Sequence, residues 1–412
     1  MNIVIDWIKQ LGTSYDDSAT GVAVNIHGDI YISGRTFGNL SAGDSAGAED
    51  AWLAKYDAQG NQVWIRQIGT TRDDSAAGIA LDRQSNIYIT GRTFGAISQK
   101  SHNSDEDAWL AKFSPQGQQL WIEQIGSVHD NSAEAIATDS ENNIYITGRT
   151  FGCLDAEKQI LPEYHDVWLA KYNTCGRQLW VRQLGSLGAD RGYGVATDRK
   201  GNVYLTGNTT GILDTENGTG GLDAWLAKCD PDGNKLWIRQ LGSASGYDSS
   251  AGVATDSEGN IAIAGYTSGT LDAIGAAGYY DAWVAKYNTN GDRLWIRQLG
   301  SSSYSYDAAC GVATDSENNI YLTGNTSGVL EAGKRVQGMD IWVAKYDTLG
   351  NRLWVKQLGS SGYDGSSGVA IDPRGYIYIT GKTSSDIEKG KAVGGEDAWI
   401  AKLHEEKEHE NE

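Results

Sequence analysis

Breaks between domains are what this sequence most clearly lacks. Only 4 of its 412 residues are proline and 2 are methionine, and no Pro-rich or low-complexity stretch divides the chain. A chain of this length usually forms two or three domains, but repeat proteins do not follow that rule, so a repeat must be sought first. The sequence therefore predicts one continuous body, provided that a repeat accounts for its whole length.

Features of zinc-binding, disulfide-bonded or membrane-spanning chains are also missing. The four cysteines form no C-x-x-C pair and have no regular spacing, which predicts neither a zinc site nor a disulfide framework and favours a reducing compartment; they are Cys153, Cys175, Cys229 and Cys310. No run of about 18 apolar residues occurs, and the first residues lack a charged segment followed by an apolar one. We therefore expect a cytoplasmic protein with no membrane among its partners.

Positive charge is scarce. The chain has 34 lysine and arginine residues against 53 aspartate and glutamate residues, a formal net charge of −19. Nucleic-acid binding requires a basic face that releases counterions from the phosphates, so nucleic acid is not an expected partner. The acidity serves solubility first, and it would also suit a cationic ligand, a metal ion or a basic partner.

Tryptophan, in contrast, is abundant and regularly placed. One column of seven lies in the motif W-(I/V)-x-Q-(I/L)-G: Trp7, Trp64, Trp121, Trp180, Trp237, Trp295 and Trp354. A second column lies mostly in D-A-W-(L/V/I)-A-K: Trp52, Trp109, Trp168, Trp225, Trp283, Trp342 and Trp399. The period of 57 to 59 residues suits a four-stranded propeller blade.

Each period contains four short apolar segments separated by Asn/Asp/Gly turns, which predicts antiparallel strands and no helix. The small residues of the G-V-A-T-D segment suit the innermost strand, called A here, because blades converge at the axis. N-I-Y-I-T-G then forms strand B, and the two tryptophan segments form the outer strands C and D. The fold class is therefore all-β, a seven-bladed β-propeller of four-stranded antiparallel blades.

The two ends of the chain complete one blade. The chain begins with a D strand and ends with a C strand, so pairing them closes the ring and removes open sheet edges. A single domain of residues 1–403 follows, with blades at about 18–69, 75–126, 132–185, 191–242, 249–300, 308–359 and 365–403 plus 1–12. Residues 404–412 are predicted to be an acidic, disordered tail.

These segments resemble the bacterial β-propeller repeat (SBBP) family and, more distantly, NHL propellers. The resemblance lies in the G-V-A-x-D, G-N-I-Y-(I/V) and K-(Y/F)-(D/N)-x-x-G segments and covers residues 1–403. It implies the propeller fold. It implies no activity, because propellers serve binding, scaffolding and enzymatic roles alike.

The D–A and B–C loops should emerge on one face, which we call the top face, and the B–C loops are long and dissimilar, so recognition is expected there. One column on this face is acidic in six blades: Asp17, Asp74, Asp190, Asp248, Asp307 and Asp364. It could bind a cation, but repeated loop aspartates usually accept backbone N–H groups of their own loop. No metal and no cofactor is therefore predicted.

Columns that vary between blades are more informative. Before the glycine of strand A stand residues that could surround the channel: Thr20, Ala77, Glu134, Tyr193, Ala251, Cys310 and Ser367. After the strand B glycine stand Arg35, Arg92, Arg149, Asn208, Tyr266, Asn325 and Lys382. Tyrosines in loops favour binding, because they give contact area at low entropic cost. The predicted ligand-binding residues are Arg35, Arg92, Arg149, Tyr193, Tyr266 and Tyr306.

Deviations from the repeat concentrate between blades 2 and 3. Glu134, His129 and His165, with Arg92 and Arg149 near by, supply the groups needed for acid–base chemistry or an oxyanion pocket. Drift on a solvated rim is the alternative interpretation.

Three functions follow from these patterns. The first is a non-catalytic binding or scaffolding propeller, expected to be a monomer, that holds a protein, a peptide or a small polar ligand on its top face. The second is an enzyme, a lyase, transferase or hydrolase, with its site at the channel mouth near blades 2 and 3. The third is lectin-like carbohydrate binding at several equivalent sites.

Overall fold

The computed structural model consists of β-strands joined by turns and loops. It describes residues 2–41, 47–98, 106–155, 163–215, 218, 221–244, 246–272, 278–302, 304–334 and 338–406. The strands form seven four-stranded antiparallel sheets; in six blades strands A, B, C and D lie in chain order, and in the seventh strand D comes from the start of the chain. The predicted fold class is therefore confirmed. In the described part of the chain, no helix has the length and apolarity needed to cross a membrane.

The strands are numbered β1 to β28 along the chain, and β2 to β5 form blade 1. The bounds in blades 1 to 3 are β2 Asp17–Val24, β3 Ile30–Thr36, β4 Asp50–Tyr56, β5 Gln62–Ile68, β6 Asp74–Leu81, β7 Ile87–Thr93, β8 Asp107–Phe113, β9 Gln119–Ile125, β10 Asn131–Thr138, β11 Ile144–Thr150, β12 Asp166–Tyr172 and β13 Gln178–Leu184. Blades 4 and 5 contain β14 Asp190–Thr197, β15 Val203–Thr209, β16 Asp223–Cys229, β17 Lys235–Leu241, β18 Asp248–Thr255, β19 Ile261–Thr267, β20 Asp281–Tyr287 and β21 Arg293–Leu299. Blades 6 and 7 contain β22 Asp307–Thr314, β23 Ile320–Thr326, β24 Asp340–Tyr346, β25 Arg352–Leu358, β26 Asp364–Ile371, β27 Ile377–Thr383, β28 Asp397–Glu406 and, from the other end of the chain, β1 Asn2–Leu11.

The ring closes through β1 and β28. These strands pair antiparallel from Asn2 opposite Glu406 to Leu11 opposite Ala398, with one register shift between Ile5 and Trp7. The predicted closure is confirmed. The predicted boundary at residue 403 is corrected: residues 404–406 continue β28, because β1 offers them backbone partners. The rest of the predicted tail, residues 407–412, lies outside the described residues.

The outer tryptophans join each blade to the next. The indole Nε1 of Trp64 in blade 1 donates to the carbonyl of Pro115 in the C–D turn of blade 2 at 3.3 Å. Four counterparts make the same contact, and Trp7 donates to Ala58 at 3.3 Å across the closing seam. A glycine at positive φ lies beneath each ring, as Gly117 does beneath Trp64. This column therefore joins blades as well as filling the core.

The seam between blades 6 and 7 uses a different acceptor. Blade 7 has no C–D turn, because its C and D strands come from opposite ends of the chain. Trp354 instead donates to the Glu405 carboxylate at 2.8 Å. Lys345 Nζ lies 2.9 Å from the same carboxylate oxygen. Glu405 was predicted to lie in a disordered tail. Its carboxylate instead takes the place of the turn carbonyl that accepts this hydrogen bond at the other seams.

A repeated glutamine in strand D and a repeated aspartate in strand C form buried hydrogen bonds. In every blade the glutamine after the outer tryptophan donates to the first aspartate of strand C, as Gln67 does to Asp50 at 2.8 Å. The six other pairs have distances of 2.7–2.9 Å. The C-strand tryptophans are 0–1 % exposed. These residues serve the fold.

We predict that Glu405→Ala lowers the midpoint of thermal unfolding, because it leaves Trp354 Nε1 and the Lys345 ammonium without their shared acceptor. A hydrogen bond to a charged group contributes ~2 kcal/mol. Glu406→Ala is the matched control, since Glu406 accepts from Asn2 in an exposed pair and such pairs contribute little. Equal midpoints for the two variants in differential scanning calorimetry would contradict this role.

Candidate functional site

A β-bulge in every inner strand builds the channel wall. The A–B register shifts at one equivalent residue in all seven blades, for example between Ala133 and Ala135 in blade 3. A bulged residue leaves the ladder and its side chain is re-aimed. The seven bulged residues are the variable column that the sequence assigned to the channel: Thr20, Ala77, Glu134, Tyr193, Ala251, Cys310 and Ser367.

Six of these residues, all except Cys310, line a space that we call the channel cavity, of about 490 Å³. Glycines of the inner strands complete its wall. A Cβ on Gly21 would lie 2.9 Å from Ile79 of the next blade, so the convergence of the blades requires small residues there. Cys310 is held aside by Asn325, whose Nδ2 donates to the sulfur at 3.4 Å. Burial raises the pKa of this thiol to about 12, which makes it a poor nucleophile.

A second space, which we call the mouth cavity, opens beside the channel cavity on the top face. It has a volume of about 430 Å³ and is lined by Arg35, Arg92 and Lys382 among others. The two cavities share four lining residues: Thr20, Ala77, Glu134 and Ser367. One ligand can therefore reach both.

Cross-strand partners hold two of the basic side chains at the mouth cavity. Ser18 is opposite Arg35 in the A–B register, and its hydroxyl accepts from Arg35 Nε at 3.2 Å. Ser75 and Arg92 repeat the pair at 3.3 Å. The guanidinium of Arg92 also lies 5.9 Å from the centre of the Phe94 ring. The R-T-F-G motif of blades 1 to 3 thus supplies orientation as well as charge.

Three glutamates at the blade seams, which the sequence interpretation missed, accompany these cations. Arg35 Nη1 lies 3.1 Å from Glu49, and Lys382 Nζ lies 2.8 Å from Glu396. Glu106 occupies the equivalent position in blade 2. Its own carbonyl accepts from the backbone N–H of Asn131 at the start of blade 3, at 2.8 Å, which places its side chain between two blades.

The sequence did contain a signal for these glutamates. They directly precede the first aspartate of strand C, a column that reads Glu49, Glu106, His165, Leu222, Tyr280, Met339 and Glu396. Glutamate occurs only in blades that carry a basic residue after the strand B glycine. Matching the two columns blade by blade would have revealed the Arg35–Glu49 and Lys382–Glu396 pairs, whereas Glu106 pairs with Arg149 of the next blade.

Arg149 is oriented away from the cavities. Its Nη2 lies 3.6 Å from Glu106, and it lines neither the channel cavity nor the mouth cavity. Burial raises the pKa of the Glu106 carboxyl, and the charges of Arg149 and Arg92 oppose that rise. Arg149 thus compensates a buried acid. Of the predicted arginines, Arg35 and Arg92 line the mouth cavity and Arg149 does not.

Glu134 and the two histidines do not converge. Glu134 lines both cavities and accepts from the Ser132 hydroxyl at 2.9 Å. The His165 ring lies 3.6 Å from that of Phe151, and among the described residues its buried Nδ1 has no hydrogen-bond partner. His129 is exposed, and its backbone carbonyl accepts from the Asn131 side chain. Neither histidine lines either cavity.

Tyrosines of blades 4 and 5 form part of the channel cavity. Tyr193 and Tyr266 line the channel cavity. Tyr280 makes edge contacts with both Tyr266 and Tyr306, each with ring centres 5.5 Å apart. Burial raises the pKa of Tyr306 to about 12. Tyr306 thus packs behind Tyr280, and Tyr280 packs against Tyr266 at the cavity wall.

The acidic column is occupied by its own loops. Each of the six aspartates accepts a backbone N–H and a hydroxyl from a preceding serine or threonine, with N–H distances of 2.5–2.9 Å. Burial raises the pKa of Asp17, Asp74 and Asp190. Within the described ranges, no three His, Cys, Asp or Glu side chains gather in a way that could hold a metal ion. These contacts assign the column to loop structure.

The protein is a seven-bladed β-propeller whose cavity-lining residues differ from blade to blade, with basic residues in blades 7, 1 and 2 and tyrosines in blades 4 and 5. A β-propeller repeat family model, SBBP, matches the chain seven times, at residues 6–41, 63–96, 120–152, 179–214, 236–271, 294–331 and 353–388. The matches cover more than half of the chain, which therefore belongs to the SBBP β-propeller repeat family.

Curated relatives are distant and much longer. An uncharacterized WD repeat-containing protein of Acanthamoeba polyphaga mimivirus is 23% identical over 82% of this chain and 31% of its own length. Regulatory protein FlaEY of Caulobacter vibrioides is 23% identical over 79% of this chain and 38% of its own length. The chain thus spans about a third of these relatives. A solved gluconolactonase from Xanthomonas campestris aligns with 96% of this chain and 97% of its own at 12% identity, with a TM-score of 0.40.

We predict that His165 stays neutral until well below pH 6. Burial, followed by the charges of Arg149 and Arg191, lowers its pKa from 6.5 to about 4. The unfolded chain therefore binds this proton at higher pH than the folded chain does, so the free energy of unfolding decreases as the pH falls from about 6.5 to about 4. His165→Phe should remove that part of the pH dependence.

The direct measurement is an NMR titration of the His165 ring protons. A midpoint near 4 is expected, and a midpoint near 6.5 would contradict the environment described for this side chain.

Proposed function

We propose that this protein is a non-catalytic binding propeller whose channel mouth holds a small polar ligand or the end of a peptide. The observation that carries the proposal is the continuity of the channel and mouth cavities through Thr20, Ala77, Glu134 and Ser367. Each cavity, at about 490 and 430 Å³, lies within the range of ~300–1,000 Å³ that is usual for small-molecule sites.

The division between repeated and variable columns supports this function. Repeated residues such as Gln67, Asp50 and Trp64 are engaged in hydrogen bonds within or between blades. Variable residues line the cavities. A side chain that no blade requires for packing is free to be selected for a ligand, so diversity at the mouth supports recognition over a purely structural role.

The placement of the acid and base groups favours binding over catalysis. An enzyme at this mouth would need Glu134 and a histidine within hydrogen-bond reach or joined by one water. His165 is packed on Phe151, and His129 lies on the exposed rim. The basic residues Arg35 and Lys382 have glutamate partners, an arrangement suited to fixed recognition.

The unequal lining of the two connected cavities favours one ligand over seven equivalent sugars. Blades 7, 1 and 2 supply Lys382, Arg35 and Arg92, and blades 4 and 5 supply Tyr193 and Tyr266. The word "regulatory" in the name of one relative agrees with a binding role, although the chain matches only part of that protein.

Filling the mouth should abolish ligand retention. Ala77 lines both cavities, so Ala77→Trp places an indole in the shared passage. We predict that the immobilised wild-type protein retains a small molecule or peptide from a cell extract, detected by mass spectrometry, and that Ala77→Trp does not.

Ile26→Trp is the matched control, because Ile26 is 73% exposed in the A–B turn of blade 1, on the opposite face. It should retain the same ligand as wild type. Failure of the wild-type protein to retain any ligand, or equal retention by Ala77→Trp, would overturn the proposed function.

A further inference from the structure

We infer that the ligand of this mouth is a small monocarboxylate that also carries a hydrogen-bond donor and an apolar or ring-shaped body. The inference rests on the proposed function and names the chemistry of its ligand. Three parts of the combined cavity carry it: a cationic arc of Arg35, Arg92 and Lys382, the single carboxylate of Glu134, and the tyrosine wall of Tyr193 and Tyr266.

The cationic arc is the pole for an anion. Its three basic side chains come from successive blades and line one cavity with the hydroxyl-bearing residues Ser18 and Ser75. Those hydroxyls accept from the Nε atoms of Arg35 and Arg92. Nε is thereby used for orientation, and Arg35 Nη1 binds Glu49, so the charge-assisted donors assigned to the ligand are Arg35 Nη2 and the Nη groups of Arg92. Guanidinium groups held in this way suit the planar oxygens of a carboxylate.

Local charge balance sets the charge of the ligand. Arg35, Arg92, Arg149 and Lys382 are accompanied at the seams by Glu49, Glu106 and Glu396, which leaves one positive charge in excess on the side of the arc. Glu134 adds one negative charge to the lining, so the combined cavity offers one charge of each sign to a ligand. Asp130 and Arg191, further along the rim near His165, carry opposite charges. A single carboxylate matches this excess. A phosphate dianion would bring more charge than the arc can compensate.

Glu134 is the pole for a donor. Among the residues that the structure describes, it is the one acidic residue that lines both cavities, and the Ser132 hydroxyl binds its Oε1. A carboxylate in this position repels a second anion and accepts a hydrogen bond from an ammonium or a hydroxyl group. A ligand that places its carboxylate in the arc therefore needs a donor directed at Glu134.

The tyrosine wall receives the body of the ligand. Tyr193 projects from the bulge of blade 4, and Tyr266 is supported by Tyr280, which in turn contacts Tyr306. Aromatic faces backed by other rings are rigid and bind apolar or ring-shaped groups at low entropic cost. An amino acid and a hydroxy acid with a ring-bearing side chain share the required chemistry.

Four compounds with a phenyl ring on a short chain test these poles by isothermal titration calorimetry. L-Phenylalanine and L-phenyllactate keep the carboxylate and differ in the donor; 3-phenylpropionate lacks the donor, and phenethylamine lacks the carboxylate. We expect at least one of the first two to bind about tenfold or more tightly than both of the others, the usual effect of losing a charge-assisted hydrogen bond.

Two variants assign the poles to residues. Arg92→Met should weaken binding of the preferred acid by about tenfold to hundredfold, and Arg72→Met is its control, since Arg72 is exposed on the same face and binds the Phe94 carbonyl. Glu134→Gln keeps an acceptor and removes the charge. It should weaken the binding of L-phenylalanine much more than the binding of L-phenyllactate, because only the ammonium group loses an attraction between opposite charges.

The outcomes separate this inference from the proposed function. If wild type retains an extract ligand that Ala77→Trp loses, yet binds none of the four compounds, the monocarboxylate assignment is overturned and the binding function stands. Equal affinity for 3-phenylpropionate would overturn the role of Glu134. An unchanged affinity in Arg92→Met, with wild-type unfolding behaviour, would overturn the cationic arc.

Discussion

Closure of the ring is the constraint on which the rest of the structure depends. A four-stranded blade has two faces to bury and can bury them only against its neighbours, so one open seam would expose two faces and two sheet edges. The outer tryptophans help to hold neighbouring blades together, because their indole N–H groups donate to carbonyls in the C–D turn of the next blade. Where no turn exists, Glu405 provides the acceptor. The last residues of β28 therefore belong to the fold.

The same convergence that closes the ring creates the site. Inner strands near an axis require small residues, and a Cβ on Gly21 or Gly194 would meet the neighbouring blade within about 3 Å. A bulge beside that glycine takes one residue per blade out of the A–B ladder and re-aims its side chain. Six of the seven bulged residues, all except Cys310, line the channel cavity. They include Glu134 and Tyr193 among smaller residues, which makes the mouth asymmetric.

Part of the candidate site can be predicted from the sequence and part cannot, for a physical reason. It selected Arg35, Arg92, Tyr193 and Tyr266, all of which line the cavities, because columns that vary between blades are visible in the sequence alone. It gave Arg149 the same role as Arg92, since both follow the same glycine. The buried Glu106 draws Arg149 toward a seam, and that contact joins residues far apart in the chain. His165 was grouped with Glu134 for a similar reason, whereas its ring packs on Phe151.

The sequence by itself determined the number of blades, their strand order and the way the ring closes. Each of these follows from a local pattern that recurs seven times, so the assignment of strands does not depend on any single weak segment. Only the tertiary structure decided which charged side chains line the cavities and which compensate one another across a seam. Those choices depend on distances between neighbouring blades. Burial also decided which groups keep ordinary acid–base behaviour, as the lowered pKa of His165 and the raised pKa of Glu106 illustrate.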